Sequence, residues 1–209
     1  MRLVLASNNA KKLLELQALL SGLAVQLVPQ SALQIAEADE PHGTFVENAL
    51  AKARHAAAHA NGPAIADDSG LCVDALGGEP GVASANYADA VPDSGDREQR
   101  RARQDAANTA LLLQRMRDAG DRRARFVSTL VALRHAHDPE PLIAFGRWEL
   151  ELLHEPRGSG GFGYDPVVRV PTHDCSVAEL APAVKNQISH RALAAQAMRT
   201  LIQDVWRLD

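Results

Sequence analysis

Hydrophobic residues recur along the chain with two alternating kinds of spacing. Short apolar runs predict strands, and segments whose leucines or alanines recur every three or four residues predict helices. The predicted strands are residues 2–6, 25–28, 64–67, 125–134 and 142–152, and the predicted helices follow Asn9, run from Thr44 to about Ala60, and cover 97–118 and about 189–206. This alternation predicts an α/β fold, with an antiparallel pair joined by a turn at 138–141.

Polar residues mark where several of these elements begin and end. Asn9 is placed to cap the first helix, and Thr44 with Glu47 three residues later fits a capping box for the second. Asp68-Ser69-Gly70 follows the strand at 64–67, and we interpret it as the turn that ends this strand.

The composition is that of a globular protein with neither a nucleic-acid nor a membrane role. The 209 residues are 46% hydrophobic, suit a single domain spanning 1–209, and carry a net charge of −4. A general nucleic-acid binder would be basic, so no nucleic-acid partner is expected. The sequence shows no signal peptide, no apolar run of about 20 residues and no close-spaced cysteine motif, since Cys72 and Cys175 stand far apart. We therefore expect a cytoplasmic protein with two free thiols and no membrane association.

Two polar stretches follow predicted strands, where ligands commonly bind in α/β folds. Ser7 to Glu15 leads from the first strand into a helix, and free amides at a helix N-terminus, with lysines in the first turn, attract anions. Asp67 and Asp68 stand at the end of the strand at 64–67. Because neighbouring side chains of a strand point to opposite faces, these carboxylates are not expected to share one site. A capped helix and a polar turn are the alternative, structural explanations.

Two further stretches combine glycine, aromatic and basic residues. Residues 158–163 match G-x-G-x-x-G, but a strand-like segment and no helix follows, so we reject a dinucleotide site. The two aromatic residues of this loop suit it instead to enclosing a base. Lys185, His190 and Arg191 surround the start of the last helix, where the helix dipole disfavours cations, so a bound anion or carbonyl is expected to explain them. A plain surface loop and a solvated basic turn are the alternatives.

Taken together and in this order, these stretches resemble the family of inosine triphosphate pyrophosphatases. The resemblance runs through nearly the whole chain. Its marks are Ser7 to Glu15, Thr44-Phe45-Val46-Glu47-Asn48-Ala49 with Lys52, Ala66-Asp67-Asp68-Ser69-Gly70-Leu71, Gly160 to Asp165, and Ser189-His190-Arg191. It implies an elongated mixed β-sheet flanked by helices, two lobes with the site in a central cleft, a homodimer, a Mg²⁺ requirement and a cytoplasmic role in cleansing the nucleotide pool. The implied reaction converts unusual purine nucleoside triphosphates, such as ITP, dITP and XTP, to the monophosphate and pyrophosphate.

The resemblance also implies roles for individual residues. Asp68 is implied as the general base, Lys52 as a catalytic group that faces the phosphates, and Glu40 with Asp68 as the Mg²⁺ ligands. The implied substrate contacts are Ser7, Asn8, Asn9, Ala10, Lys11 and Lys12 around the triphosphate, and Ser69, Phe162, Gly163, Tyr164, Asp165, Lys185, His190 and Arg191 on the nucleotide.

Two positions depart from the pattern of this family. Asn8 stands where Gly is usual, in a turn that often needs a positive φ, which Asn tolerates best after Gly. The sequence of the acidic loop also differs from the usual sequence of the family, so that the choice of Glu40 over Asp39 as metal ligand stays open.

Two other functions fit parts of the same pattern. One is a pyrophosphatase of related architecture that acts on modified pyrimidine or methylated nucleotides. The other is a nucleotide-binding module, which would bind a triphosphate and release no pyrophosphate. The carboxylates of Glu40 and Asp68 argue against the binding module, because pure anion binding gains nothing from clustered negative charge.

Overall fold

A computed structural model of the protein describes residues 1–92 and 94–208. Within these residues the chain forms seven strands and five α-helices. In chain order they are β1 (Arg2–Leu5), α1 (Ala10–Leu19), β2 (Gln26–Pro29), α2 (Phe45–Ala60), β3 (Ala64–Val73), α3 (Arg97–Arg115), β4 (Arg123–Leu133), β5 (Leu142–Leu152), β6 (Val168–Val170), β7 (Cys175–Ser176), α4 (Pro182–Ile188) and α5 (His190–Trp206).

The strands form one mixed sheet flanked by helices. Their order is β2-β1-β3-β4-β5-β6-β7. β1 runs parallel to β2 and to β3, whereas β6 is antiparallel to both β5 and β7. This arrangement confirms the predicted α/β class with a mixed sheet. Within the described residues, no helix is both long and apolar enough to cross a membrane.

The chain divides into two compact units, which are described separately. The first consists of Met1–Ser69, Ser128–Arg147 and Asn186–Asp209, and the second of Gly70–Val127 and Trp148–Lys185. In the first unit, successive residues of β1 belong to different core clusters, as the two-residue period of a strand requires. Leu3 and Leu5 pack with residues of α1 and α5, whereas Val4 packs with the alanines of α2. Helices therefore cover both faces of the sheet in this unit.

Gly146 brings β5 and the start of α5 into close contact within the first unit. A Cβ atom at position 146 would lie 1.8 Å from the His190 carbonyl oxygen and 2.6 Å from the Ala194 amide nitrogen. Both of these are backbone atoms, which cannot move aside by a rotamer change. We therefore expect Gly146→Ala to lower the free energy of unfolding by about 1–3 kcal/mol, measured by denaturant titration.

The matched control is Gly120→Ala, at a glycine whose added Cβ would meet nothing within 4 Å and whose φ is not positive. It should leave the unfolding midpoint near that of the parent protein. Equal midpoints for both variants would contradict the close packing of α5 on β5.

Most predicted elements are confirmed with small differences at their ends, and the predicted end of β3 is wrong. Asn9, Thr44 and Ser189 are the observed N-caps of α1, α2 and α5. The turn predicted at Asp68-Ser69-Gly70 is not present, because β3 continues through these residues to Val73. Its next residues, from Leu71 to Val73, are buried and apolar, and they hold the segment in the sheet. The short helix α4 was not predicted.

Candidate active site

Lys52 lies between two carboxylates of the first unit. Its ammonium donates hydrogen bonds to Asp68 Oδ1 at 2.8 Å and to Glu40 Oε2 at 3.0 Å. Asp68 belongs to β3, and Glu40 to the loop before α2. The Thr44 hydroxyl accepts a hydrogen bond from the Glu47 amide at 3.3 Å and so begins α2 about two turns before Lys52. In this structure Glu40 is the residue of the acidic loop that reaches Lys52.

Burial and charge together set the pKa values of this cluster. Burial raises the pKa of Asp68 to about 6, and the attraction of Lys52 offsets this only in part. Burial alone would also raise the pKa of Glu40, but Lys52 outweighs it and the pKa is lowered. Burial alone would lower the pKa of Lys52, but Asp68 and Glu40 outweigh it and the pKa is raised. Asp68 is therefore the carboxylate of this cluster that takes up a proton more readily.

The second carboxylate oxygen of Asp68 can accept a further ligand. This oxygen, Oδ2, is buried and has no hydrogen-bond partner among the described residues. Buried polar atoms without a partner are uncommon in native proteins, and such an oxygen suits a cation or the proton of a bound water. Mg²⁺ binds through one or two carboxylates and completes its shell with water and phosphate oxygens. Glu40 and Asp68 fit that requirement.

Within residues 1–92 and 94–208, no group of three or more His, Cys, Asp or Glu side chains is placed to hold a metal ion. A metal held by Glu40 and Asp68 would thus take its other ligands from water and the bound phosphates.

Asp67 points to the face of β3 opposite Asp68 and has different partners, as predicted from the strand period. Its Oδ2 accepts from Lys12 Nζ at 2.8 Å and from Ser69 Oγ at 3.0 Å, and its Oδ1 accepts from Ser128 Oγ at 2.7 Å. Arg191 Nε lies 3.4 Å from the same Oδ2. Burial alone would raise the pKa of Asp67, but Lys12 and Arg191 hold it well below its usual range. Asp67 is therefore a permanently charged carboxylate.

The cation of Arg191 is balanced inside the protein. The side chain is 2% exposed and, besides Asp67, contacts Glu15 of α1 and donates to Ser69 Oγ at 3.0 Å. In this structure Asp67 and Glu15 supply the negative charge that faces Arg191, and the predicted contact of Arg191 with a bound anion or carbonyl stays a prediction. His190 is buried beside it at the start of α5.

The turn from Ser7 into α1 is organised by its own side chains. The Ser7 hydroxyl accepts from the Asn9 amide at 3.2 Å, and Asn9 Oδ1 accepts from the amides of Lys11 and Lys12 at 3.1 and 3.3 Å. The Asn9 side chain therefore accepts hydrogen bonds from two first-turn amides, although the sequence had suggested that these amides are free to bind an anion. Ala10 and Lys11 are exposed, whereas burial lowers the pKa of Lys12 and Asp67 opposes that shift.

Asn8 occupies its position without backbone strain. Its φ lies outside the positive, left-handed region, so this turn does not require the conformational freedom of Gly. The buried Oδ1 of Asn8 has no hydrogen-bond partner among the described residues. Asn8 in place of the usual Gly thus adds a polar side chain to the turn, and the backbone there keeps an ordinary, negative-φ conformation.

In the second unit, Asp165 organises the glycine-rich loop. Its Oδ2 accepts from Lys185 Nζ at 2.7 Å and from the Phe162 amide at 2.9 Å. A Cβ on Gly161 would approach this oxygen to 2.1 Å, and Gly161 also has a φ of +72°, so both the space and the conformation require Gly there. The Lys185 ammonium lies 5.0 Å from the centre of the Phe162 ring. Here too a protein carboxylate balances the predicted cation, and the predicted contact of Lys185 with the nucleotide stays a prediction.

The remaining residues of this loop are held by side chains distant in sequence. The buried Tyr164 hydroxyl donates to the Ser84 carbonyl at 2.9 Å, and the Gly163 amide donates to Asp105 Oδ2 at 3.0 Å. No α-helix directly follows the glycines, because a three-residue 3₁₀ turn leads into β6. This agrees with the rejection of a dinucleotide site.

Sequence reasoning missed Asp105 of α3, which accepts from the Gly163 amide of this loop, and Ser128 of the first unit. A serine inside the buried run of β4 is the signal that was available for Ser128.

The fold and this arrangement of lysines and carboxylates define an α/β protein suited to a phosphorylated ligand. Comparison with known proteins identifies the family of this protein. The chain belongs to the Ham1 family, whose model matches residues 3–201.

Named relatives are similar over almost the full length. A dITP/XTP pyrophosphatase of Methylibium petroleiphilum is 65% identical over 206 residues, covering 99% of each chain. Another of Leptothrix cholodnii is 63% identical over 211 residues, covering 100% of each. Among solved structures, a HAM1 protein from Coxiella burnetii is 41% identical with a TM-score of 0.86, and covers 98% of this chain and 100% of that one.

Proposed function

We propose that this protein hydrolyses unusual purine nucleoside triphosphates, in particular dITP, ITP and XTP, to the nucleoside monophosphate and pyrophosphate. The names of relatives that are 63% and 65% identical over nearly the whole chain support the substrate class. The observation that carries the chemistry is Lys52 held between Glu40 and Asp68, with one buried oxygen of Asp68 left without a hydrogen-bond partner among the described residues. With this activity we propose a cytoplasmic role in cleansing the nucleotide pool.

In the proposed reaction, water attacks the α-phosphorus and pyrophosphate leaves with the electron pair of the broken P–O bond. Asp68 accepts the proton of the attacking water, for which a carboxylate with a raised pKa is suited. Lys52 neutralises negative charge that develops on the phosphates. Lys12, at the start of α1, adds a second cation on the phosphate side.

We infer that Mg²⁺ is the metal and that Glu40 and Asp68 hold it. When bound, Mg²⁺ supplies Lewis-acid neutralisation of phosphate charge. The carboxylate-only donor set favours a hard cation of this kind over a metal that prefers sulfur or imidazole.

The predicted contacts of the nucleotide with Ser7 to Lys12, Ser69, Phe162 to Asp165, Lys185, His190 and Arg191 stay predictions. So does the homodimer, which a mass measurement in solution by light scattering tests.

The test of the proposed function is pyrophosphate release from a panel of dITP, XTP, ATP, dUTP and a methylated nucleotide, with Mg²⁺ present. dITP and XTP should be the best substrates. Inosine and xanthine carry an acceptor oxygen at C6 where adenine carries a donor amino group, so a site that donates there should reject ATP by about tenfold or more in kcat/KM. A preference for the pyrimidine or methylated substrate would support the related pyrophosphatase. Tight binding without release of pyrophosphate would support the binding module.

A further inference from the structure

The Asp67 carboxylate joins side chains from four separate elements of the first unit, α1, β3, β4 and α5. Its side chain is fully buried, and four donors converge on its two oxygens: Lys12 Nζ, Ser69 Oγ and Arg191 Nε on Oδ2, and Ser128 Oγ on Oδ1. Since both oxygens already accept hydrogen bonds, Asp67 has little capacity to act as a base. The proposed reaction has assigned it no role.

The donors on Asp67 fall into two groups. Lys12, Ser69 and Arg191 come from α1, β3 and α5, and all three are predicted to contact the nucleotide. Ser128 comes from β4, is fully buried, and is not a predicted substrate contact. It fixes the opposite oxygen of the carboxylate at 2.7 Å. One rigidly held side chain therefore sets the positions of three predicted substrate contacts from three separate elements.

We propose that Asp67 is a positioning residue, which holds the ammonium of Lys12 and the guanidinium of Arg191 in the orientation that binds the triphosphate nucleotide. This inference rests on the proposed function. Asp67 acts through its neighbours and does not touch the substrate. Ser128 supports it from the sheet, and Glu15 supports Arg191 from the other side.

Charge balance explains why a carboxylate is needed at this position. The cluster contains two cations, Lys12 and Arg191, and two anions, Asp67 and Glu15. Removal of the Asp67 charge leaves a buried excess cation. Burial already lowers the pKa of Lys12, and the Asp67 carboxylate opposes that shift. Without this carboxylate, Lys12 would lose both its orientation and the group that favours its charged form.

A double-mutant cycle tests whether Asp67 acts through Lys12. Asp67→Asn should reduce kcat/KM for dITP at least about tenfold, the scale of a lost hydrogen bond to a charged group. In a Lys12→Met background, the same change should cost clearly less than in the parent protein, because one of the residues that Asp67 positions is already absent. Ser128→Ala leaves the carboxylate in place and should give a smaller loss with the same dependence on Lys12. It keeps the test decisive if Asp67→Asn fails to fold.

The control is Asp138→Asn. Asp138 is also a fully buried carboxylate of the first unit, and it accepts from Arg134 Nε and Nη2, both at 2.9 Å. Arg134 is not a predicted substrate contact. This variant should lose stability yet keep kcat/KM within about twofold of the parent, as expected for a distant independent site.

The NMR signals of the lysine Nζ groups give a readout that does not depend on turnover. These signals are few because the chain has only Lys11, Lys12, Lys52 and Lys185. A held ammonium exchanges slowly with water, so the Lys12 signal should be observed in the parent protein and lost in Asp67→Asn. The proposal is overturned if Asp67→Asn lowers kcat/KM equally in both backgrounds, or if the Lys12 signal persists in that variant. Absence of turnover in the parent protein would instead count against the proposed function, and the NMR arm would still decide the role of Asp67.

Discussion

Asp68→Asn is expected to lower kcat for dITP by at least about a hundredfold, the usual scale for loss of a general base. The amide cannot accept a proton from the attacking water. The substitution also removes one of the two negative charges that face Lys52. Nucleotide binding should persist, because Lys52 keeps Glu40 as a partner and Lys12 keeps Asp67 as a partner. Calorimetry with dITP measures this binding, and pyrophosphate release measures kcat.

Asp138→Asn serves here too as the control for loss of a buried carboxylate, and it should turn over dITP at nearly the parent rate. If Asp68→Asn retained near-parent kcat, the general base would have to be another group. Loss of both kcat and dITP binding would instead make Asp68 a residue that organises the binding site.

Removal of divalent cations with EDTA is expected to abolish pyrophosphate release, and addition of Mg²⁺ to restore it. The physical reason is that two carboxylates, Glu40 and Asp68, share a single lysine, so the site has negative charge available for a cation. Glu40→Gln should raise the Mg²⁺ concentration needed for half-maximal activity by at least about tenfold.

Asp39→Asn is the matched control, one residue away in the same loop, and its Mg²⁺ requirement should equal that of the parent. Full activity in EDTA would refute the metal requirement. An equal rise in the Mg²⁺ requirement for both variants would mean that the acidic loop acts by its general charge and that Glu40 is not a specific ligand.

The helices show how much of the fold is encoded locally. Asn9, Thr44 and Ser189 each accept a hydrogen bond from a first-turn amide of the following helix. The caps at Asn9 and Thr44 were predicted from residue type and position, whereas at Ser189 only the start of the helix was predicted. β5 has the predicted bounds, Leu142–Leu152, because its buried and exposed residues alternate along most of its length. By contrast, Asp68-Ser69-Gly70 has the composition of a turn but lies within β3, since packing and cross-sheet partners outweigh local preference.

The candidate site was predicted as a set of residues, and the structure decided how they are grouped. The family resemblance implied Lys52, Glu40 and Asp68 as site residues, and the structure brings these three together. It also pairs Arg191 and Lys185 with internal carboxylates, which the sequence did not predict.

The sequence by itself determined the caps, the helices and most strand bounds, because these depend on interactions between residues a few positions apart. It also determined the opposite orientations of Asp67 and Asp68, since adjacent strand residues face opposite sides. Only the tertiary structure decided what those carboxylates contact. Asp67 meets Ser128 and Arg191, which lie 61 and 124 residues away along the chain, and Arg191 meets Glu15 across 176 residues. No local pattern specifies such pairs, because they form only when sheet packing brings β3, β4, α1 and α5 together.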